Sequence, residues 1–105
     1  MDYYQNVDVY KSANIYFEGK VISRNIFLKD GSKKTLGVML VGEYQFNTKL
    51  RELIEIISGK LEFKIKEEDD WKLITKGMDF SVSRNSSFKV NVLEIVNYTC
   101  SYFEA

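Results

Sequence analysis

From Lys60 to Lys66 the chain alternates polar and apolar side chains without a break: Lys-Leu-Glu-Phe-Lys-Ile-Lys. Successive side chains of a strand point to opposite faces, so this run predicts a strand with one buried and one wet face. Met78-Asp79-Phe80-Ser81-Val82 and Phe88-Lys89-Val90-Asn91-Val92-Leu93 repeat the pattern. No stretch of ~11 residues carries the i, i+3, i+4, i+7 apolar spacing of an amphipathic helix. The nearest, 49–57, has an Ile-Glu-Ile-Ile centre that suits a strand better. Around these lie short β-favouring clusters: Tyr16-Phe17, Val21-Ile22, Ile26-Phe27-Leu28, and runs over 35–41, 43–48, 53–57, 71–75 and 98–103. Asp30-Gly31 and Lys76-Gly77 mark turns, and Ser58-Gly59 is expected to end the 53–57 strand. The acidic run Glu67-Glu68-Asp69-Asp70 predicts a solvated hairpin loop. Short strands punctuated by glycine turns predict an all-β sandwich or barrel, with Phe63 and Trp71 anchoring its apolar wall.

The length of 105 residues allows one domain, burying about two-thirds of the surface its unfolded chain exposes. Residues 13–105 form that domain, with 1–12 as an N-terminal arm or edge strand. Lys and Arg number 15, against 15 Asp and Glu. That neutrality argues against binding to nucleic acid or anionic membranes through bulk charge, though not against a small anion held by one or two cations. There is no histidine and a single cysteine, Cys100, so neither a disulfide framework nor a Cys or His metal cluster is available. No basic-then-apolar leader and no apolar run of ~18 residues stands out, so the expected compartment is the cytoplasm.

Gly37, Glu43, Gln45, Glu52 and Gly59 are spaced as in the first glycine-anchored motif of cupin barrels. Residues two apart on a strand share a face, so Glu43 and Gln45 are expected to converge inside the barrel, with Glu52 joining from the neighbouring strand. The second cupin motif is similar to Gly77 and its downstream loop, with Phe88 where cupins commonly have a last histidine. Oxygen ligands alone make a weak site suited to Ca²⁺ or Mg²⁺, so no transition metal is expected.

A narrower resemblance rests on Ala13-Asn14-Ile15-Tyr16-Phe17-Glu18-Gly19-Lys20-Val21, Thr35-Leu36-Gly37-Val38-Met39-Leu40, Gly42-Glu43-Tyr44-Gln45-Phe46-Asn47-Thr48, Ile56-Ile57-Ser58-Gly59, Asn85-Ser86-Ser87-Phe88 and Tyr98-Thr99-Cys100-Ser101-Tyr102. These segments resemble the short single-domain cupin pyrimidine/purine nucleoside phosphorylases. The chain departs from that family at Val41 and at Ser83-Arg84, where the family commonly has proline. The resemblance implies reversible, broad-specificity phosphorolysis of nucleosides to free base and pentose 1-phosphate. Phosphate would be the co-substrate, with no metal or redox cofactor, in a homodimer joined partly by the arm and terminal aromatics. Such chemistry needs an anion near an oxocarbenium-like sugar, a donor for the base, and a holder for phosphate. Glu43 or Glu52 fits the first task, Tyr44 or Gln45 the base or ribose, and Arg84, Asn85, Ser86 and Ser87 a phosphate loop. A non-catalytic cupin holding a sugar or nucleotide, and a purely structural dimer, are the competing classes.

Overall fold

The computed structural model describes residues 2–65 and 70–104. Among these the chain forms nine strands: β1 (Asp8–Val9), β2 (Asn14–Tyr16), β3 (Val21–Phe27), β4 (Lys33–Met39), β5 (Gly42–Asn47), β6 (Arg51–Ile65), β7 (Lys72–Thr75), β8 (Asp79–Val82) and β9 (Ser87–Phe103). All pair antiparallel. A single tight helical turn, Phe17–Gly19, interrupts them where the sequence predicts strand at Phe17. The result is an all-β barrel of the cupin type.

Two long strands organise it. β6 and β9 pair from Arg51 opposite Phe103 to Ile65 opposite Phe88. Halfway along, the pairing shifts register between Ile56 and Leu61. Gly59 sits there at φ +92°, and a Cβ on it would lie 2.1 Å from the Ile95 carbonyl oxygen. Only glycine fits such a bulge. Ser58-Gly59 therefore bends the strand instead of ending it, and runs 53–57 and 60–65 are one element. The clusters at 88–93 and 98–103 likewise merge into β9.

The bend lets each long strand serve two walls. The second half of β9 lies between β4 and the first half of β6, extended by β3 on one side and β8 on the other. The first half of β9 lies between β5 and the second half of β6, which β7 flanks. Side chains from both walls meet inside: Phe63 of β6 stacks on Phe80 of β8 at 4.2 Å between centroids. Leu61, Val21, Val90 and Val96 are fully buried beside them, each contributing about 1.5–3 kcal/mol by leaving water. Trp71 does not anchor this wall; it is 37% exposed, just before β7. Of the expected acidic hairpin loop, 67–69 lie outside the described residues.

The β3–β4 hairpin turns as the Asp-Gly pair predicts. Gly31 takes φ +85°, and the Asp30 carboxylate accepts hydrogen bonds from the Ser32 amide (2.9 Å) and hydroxyl (2.6 Å). Those bonds lower the Asp30 pKa. The turn sets Lys33 at the start of β4, where it is exposed. β1 pairs with the far end of β3, Val9 opposite Ile26.

Candidate active site

Alternation along four neighbouring strands brings one set of side chains into the barrel. On β4 these are Thr35, Gly37 and Met39; on β9, Tyr98, Cys100 and Tyr102; on β6, Glu52 and Ile54; on β3, Ser23. Register aligns them, with Thr35 and Ile54 both opposite Cys100, and Glu52 opposite Tyr102. Directly opposed residues share a face, so these groups touch one common space. That space is a chamber of about 160 Å³.

Small residues make room for it. A Cβ on Gly37 would stand 2.5 Å from the Tyr98 ring, which occupies the volume a side chain would need. Ser23 is the hydrogen-bond partner of the Tyr98 phenol, and Asn14 Nδ2 donates to Ser23 Oγ at 3.2 Å. The Tyr102 hydroxyl and Thr35 Oγ1 are hydrogen-bonded at 3.1 Å. The Cys100 thiol donates to Glu52 Oε1 at 3.4 Å. Opposite this polar side stands an aromatic one: Phe88 contacts Phe46 at 5.3 Å and Phe80 at 6.0 Å. Phe17, presented by the turn after β2, packs edge-on against Phe46 at 5.5 Å. Asn47 lines the chamber next to Phe46.

Protonation follows from burial. Desolvation pushes the Glu52 carboxyl above its ordinary range, and the Cys100 thiol and the Lys33 charge pull it partly back. Desolvation also pushes the Cys100 thiol and the Tyr98 and Tyr102 phenols upward. At neutral pH these three stay protonated and act as donors, so Cys100 is no nucleophile. Glu52 is the one carboxyl group among the chamber-lining residues. No cluster of three Cys, Asp or Glu side chains able to hold a metal occurs among the described residues. Glu52 and Cys100 facing Phe88 do not fit the transition metal that cupin barrels commonly carry.

A family model described as pyrimidine/purine nucleoside phosphorylase matches residues 11–102. The chain belongs to that family. The curated pyrimidine/purine nucleoside phosphorylase of Citrifermentans bemidjiense is 52% identical over 102 residues, covering 97% of this chain and 99% of the relative. That of Chlorobium chlorochromatii is 49% identical, covering 97% and 98%. A crystal structure of an Acinetobacter sp. ADP1 protein, described as of unknown function, superimposes with a TM-score of 0.94 at 37% identity, covering 98% of this chain and 100% of that one.

The expected site residues divide between two faces. Glu52 lies in the chamber. Glu43 and Gln45 do not join it. Tyr44 and Phe46 are the larger apolar side chains of β5 and take its inner face, so alternation turns Glu43 and Gln45 outward, where both are exposed. They line a shallow outer groove with Trp71 and Lys89. Tyr44 is buried and its hydroxyl donates to the Leu40 carbonyl at 2.7 Å, away from the chamber lining. Arg84 and Asn85 are exposed. Their loop is pinned from below by Thr48, whose hydroxyl donates to the Ser83 carbonyl (2.6 Å) and accepts from the Ser86 amide (3.0 Å). Ser87 is buried, and its hydroxyl finds no partner among the described residues. These four do not line the chamber.

Among the other residues that line the chamber are Thr35, Asn47, Tyr98, Cys100 and Tyr102, none of which carries a motif that assigns it chemistry from sequence. One signal pointed to them. Tyr98, Cys100 and Tyr102 alternate on a single strand, which puts two hydroxyls and a thiol on one face. Whether that face was inner or outer depended on the partner strands.

Proposed function

We propose that this chain phosphorolyses purine and pyrimidine nucleosides inside the chamber, as a pentosyltransferase using inorganic phosphate and no metal or redox cofactor. The observation that carries the reading is Glu52: a half-buried carboxylate facing a chamber otherwise lined by uncharged groups, in a chain of this family. In the reaction a phosphate oxygen forms a bond to the anomeric carbon as the glycosidic C–N bond breaks. The bonding pair leaves with the base nitrogen, and the proton released by phosphate ends on the base. As the sugar gains oxocarbenium character, the Glu52 carboxylate stabilises it, and low local polarity strengthens that attraction. The Cys100 thiol holds the carboxylate in place. Tyr98 and Tyr102, protonated at neutral pH, supply donors for ribose oxygens.

The aromatic side of the chamber suits the base. Phe46, Phe80 and Phe88 offer stacking surface with no edge-reading hydrogen bonds, and an apolar pocket discriminates weakly between ligands of similar shape. That supports a broad base range, with the Asn47 amide donating to the departing base. Glu43 has no task in this scheme.

We place the enzyme in the cytoplasm, and no helix among the described residues is long and apolar enough to cross a membrane. We also propose a homodimer. Ile15, Ile22 and Val38 stand side by side on three adjacent strands, all exposed on the outer face. Light scattering giving twice the chain mass would support it, and the mass of a single chain would remove it. The activity is tested by base release from a panel of uridine, cytidine, adenosine and guanosine, with and without phosphate. Phosphate-dependent release from both base classes is expected. Binding with a raised melting temperature but no turnover would place the chain among ligand-binding cupins instead.

A further inference from the structure

On the phosphorylase reading, on which this inference rests, some group must hold the phosphate anion. Arg84 and Lys89 are exposed and line no part of the chamber. Lys34 turns outward, its ammonium donating to Ser101 Oγ at 3.0 Å. Arg51 stacks its guanidinium on Phe103 at 4.3 Å. Lys33 is also exposed and outside the chamber lining, but its ammonium reaches a chamber-lining side chain. It stands two residues before Thr35 on β4, hence on the same strand face as that chamber residue. Its ammonium lies over the Tyr102 ring, 4.8 Å from the centroid. Tyr102 in turn bonds Thr35 at the chamber wall. The Lys33 charge acts on both Glu52 and Cys100, and among the described residues it forms no ion pair.

We propose that Lys33 is the phosphate-binding cation, holding the anion at the chamber rim over Tyr102. A phosphate there approaches the sugar from the Glu52 side, leaving the aromatic side to the base. Attack and departure then occur on opposite faces of the anomeric carbon. The Lys33 charge also offsets the repulsion between phosphate and the Glu52 carboxylate. An exposed lysine with only a ring contact keeps its ammonium available. An ion-paired lysine would have to break that pair first.

The test measures uridine phosphorolysis while phosphate is varied, for wild type, Lys33→Met and Lys33→Arg. Lys33→Met should raise the KM for phosphate by about tenfold or more, as loss of one charge-assisted hydrogen bond does. The KM for uridine should stay near wild type, and Lys33→Arg should restore most of the phosphate affinity. A second measurement needs no turnover: inorganic phosphate should raise the melting temperature of wild type and leave that of Lys33→Met unchanged. If wild type turns over and Lys33→Met keeps the wild-type KM for phosphate, Lys33 is not the holder and the phosphorylase reading stands. If phosphate protects wild type but no nucleoside is cleaved, the phosphorylase reading fails while the anion site survives. If phosphate protects both proteins equally, the assignment to Lys33 is wrong.

Discussion

At the end of the barrel built from β5, β7, the first half of β9 and the second half of β6, the inward side chains are Tyr44, Phe46, Leu61, Phe63, Ile74, Phe88, Val90 and Val92. All but the half-buried Phe46 belong to one buried cluster, which continues into the other end through Met39, Ile54 and Ile56, and Phe46 and Phe88 also form the aromatic side of the chamber. At the other end, β3, β4 and the remaining halves of β6 and β9 turn Ser23, Thr35, Gly37, Glu52, Tyr98, Cys100 and Tyr102 to the same interior. The same two long strands contribute to both ends, so backbone geometry does not separate them. Side-chain volume and polarity do. Large apolar groups close one end into a core that extends into the other, where the small or polar groups beside them leave a chamber. Leu61 lies in the core outside the chamber lining and Glu52 lies in that lining, so substitutions at these two positions of one strand should fail in different ways.

The largest effect is expected at the packed end. Leu61 is fully buried, and Leu61→Ala should cost about 2–5 kcal/mol of folding free energy, read by urea denaturation. Protein that remains folded should keep its KM for nucleoside. A variant as stable as wild type but catalytically dead would erase the proposed division.

Glu52→Gln reverses that signature. Removing one charge that acts in the transition state should lower kcat/KM by about two orders of magnitude, roughly 2.7 kcal/mol. Stability should not fall. Because burial raises the folded-state pKa of Glu52, its protonated form favours folding below the unfolded carboxylate pKa. That advantage is lost as pH rises through the raised folded value. At neutral pH the ionised carboxylate therefore opposes folding, and Glu52→Gln should melt at or above the wild-type temperature, the difference vanishing on acidification. A melting temperature well below wild type at neutral pH would show that the carboxylate belongs to the scaffold.

A smaller change sharpens the chamber itself. A serine at position 100 donates a stronger hydrogen bond to Glu52 than the Cys100 thiol, favouring the ionised form. Activity that needs the carboxylate rises with pH through the Glu52 pKa, so Cys100→Ser should move the acid limb of kcat/KM to lower pH. Cys100→Ala removes the donor and should move it to higher pH. An acid limb identical in all three proteins would sever Cys100 from Glu52 function.

The smallest effect is expected at Glu43, on the outer face of the packed end. Glu43→Gln should change stability by no more than about 0.5 kcal/mol and leave uridine phosphorolysis near wild type. A hundredfold loss of rate would return Glu43 to the reacting centre and undo the assignment of the two faces.

The sequence by itself determined most strand positions, the all-β barrel class and the family, because period-two alternation and glycine turns are local and the resemblance covers nearly the whole chain. It also brought out Glu52. What it did not determine was which face of a strand looks inward. Glu43, Gln45 and Tyr44 share one strand, and the period-two rule says only that the first two oppose the third. The side facing the core was decided by where Tyr44 and Phe46 met Phe88 and Val90 of β9. The continuity of β6 through Gly59 was likewise beyond local reading, since a glycine after serine signals a turn unless another strand fits against it, as Ile95 and Val96 do. Lys33, Thr35, Tyr98, Cys100 and Tyr102 come from opposite ends of the chain, and only pairing between β4 and β9 makes them neighbours. Composition and spacing act over a few residues, whereas a chamber is a property of strands that meet after the chain has closed.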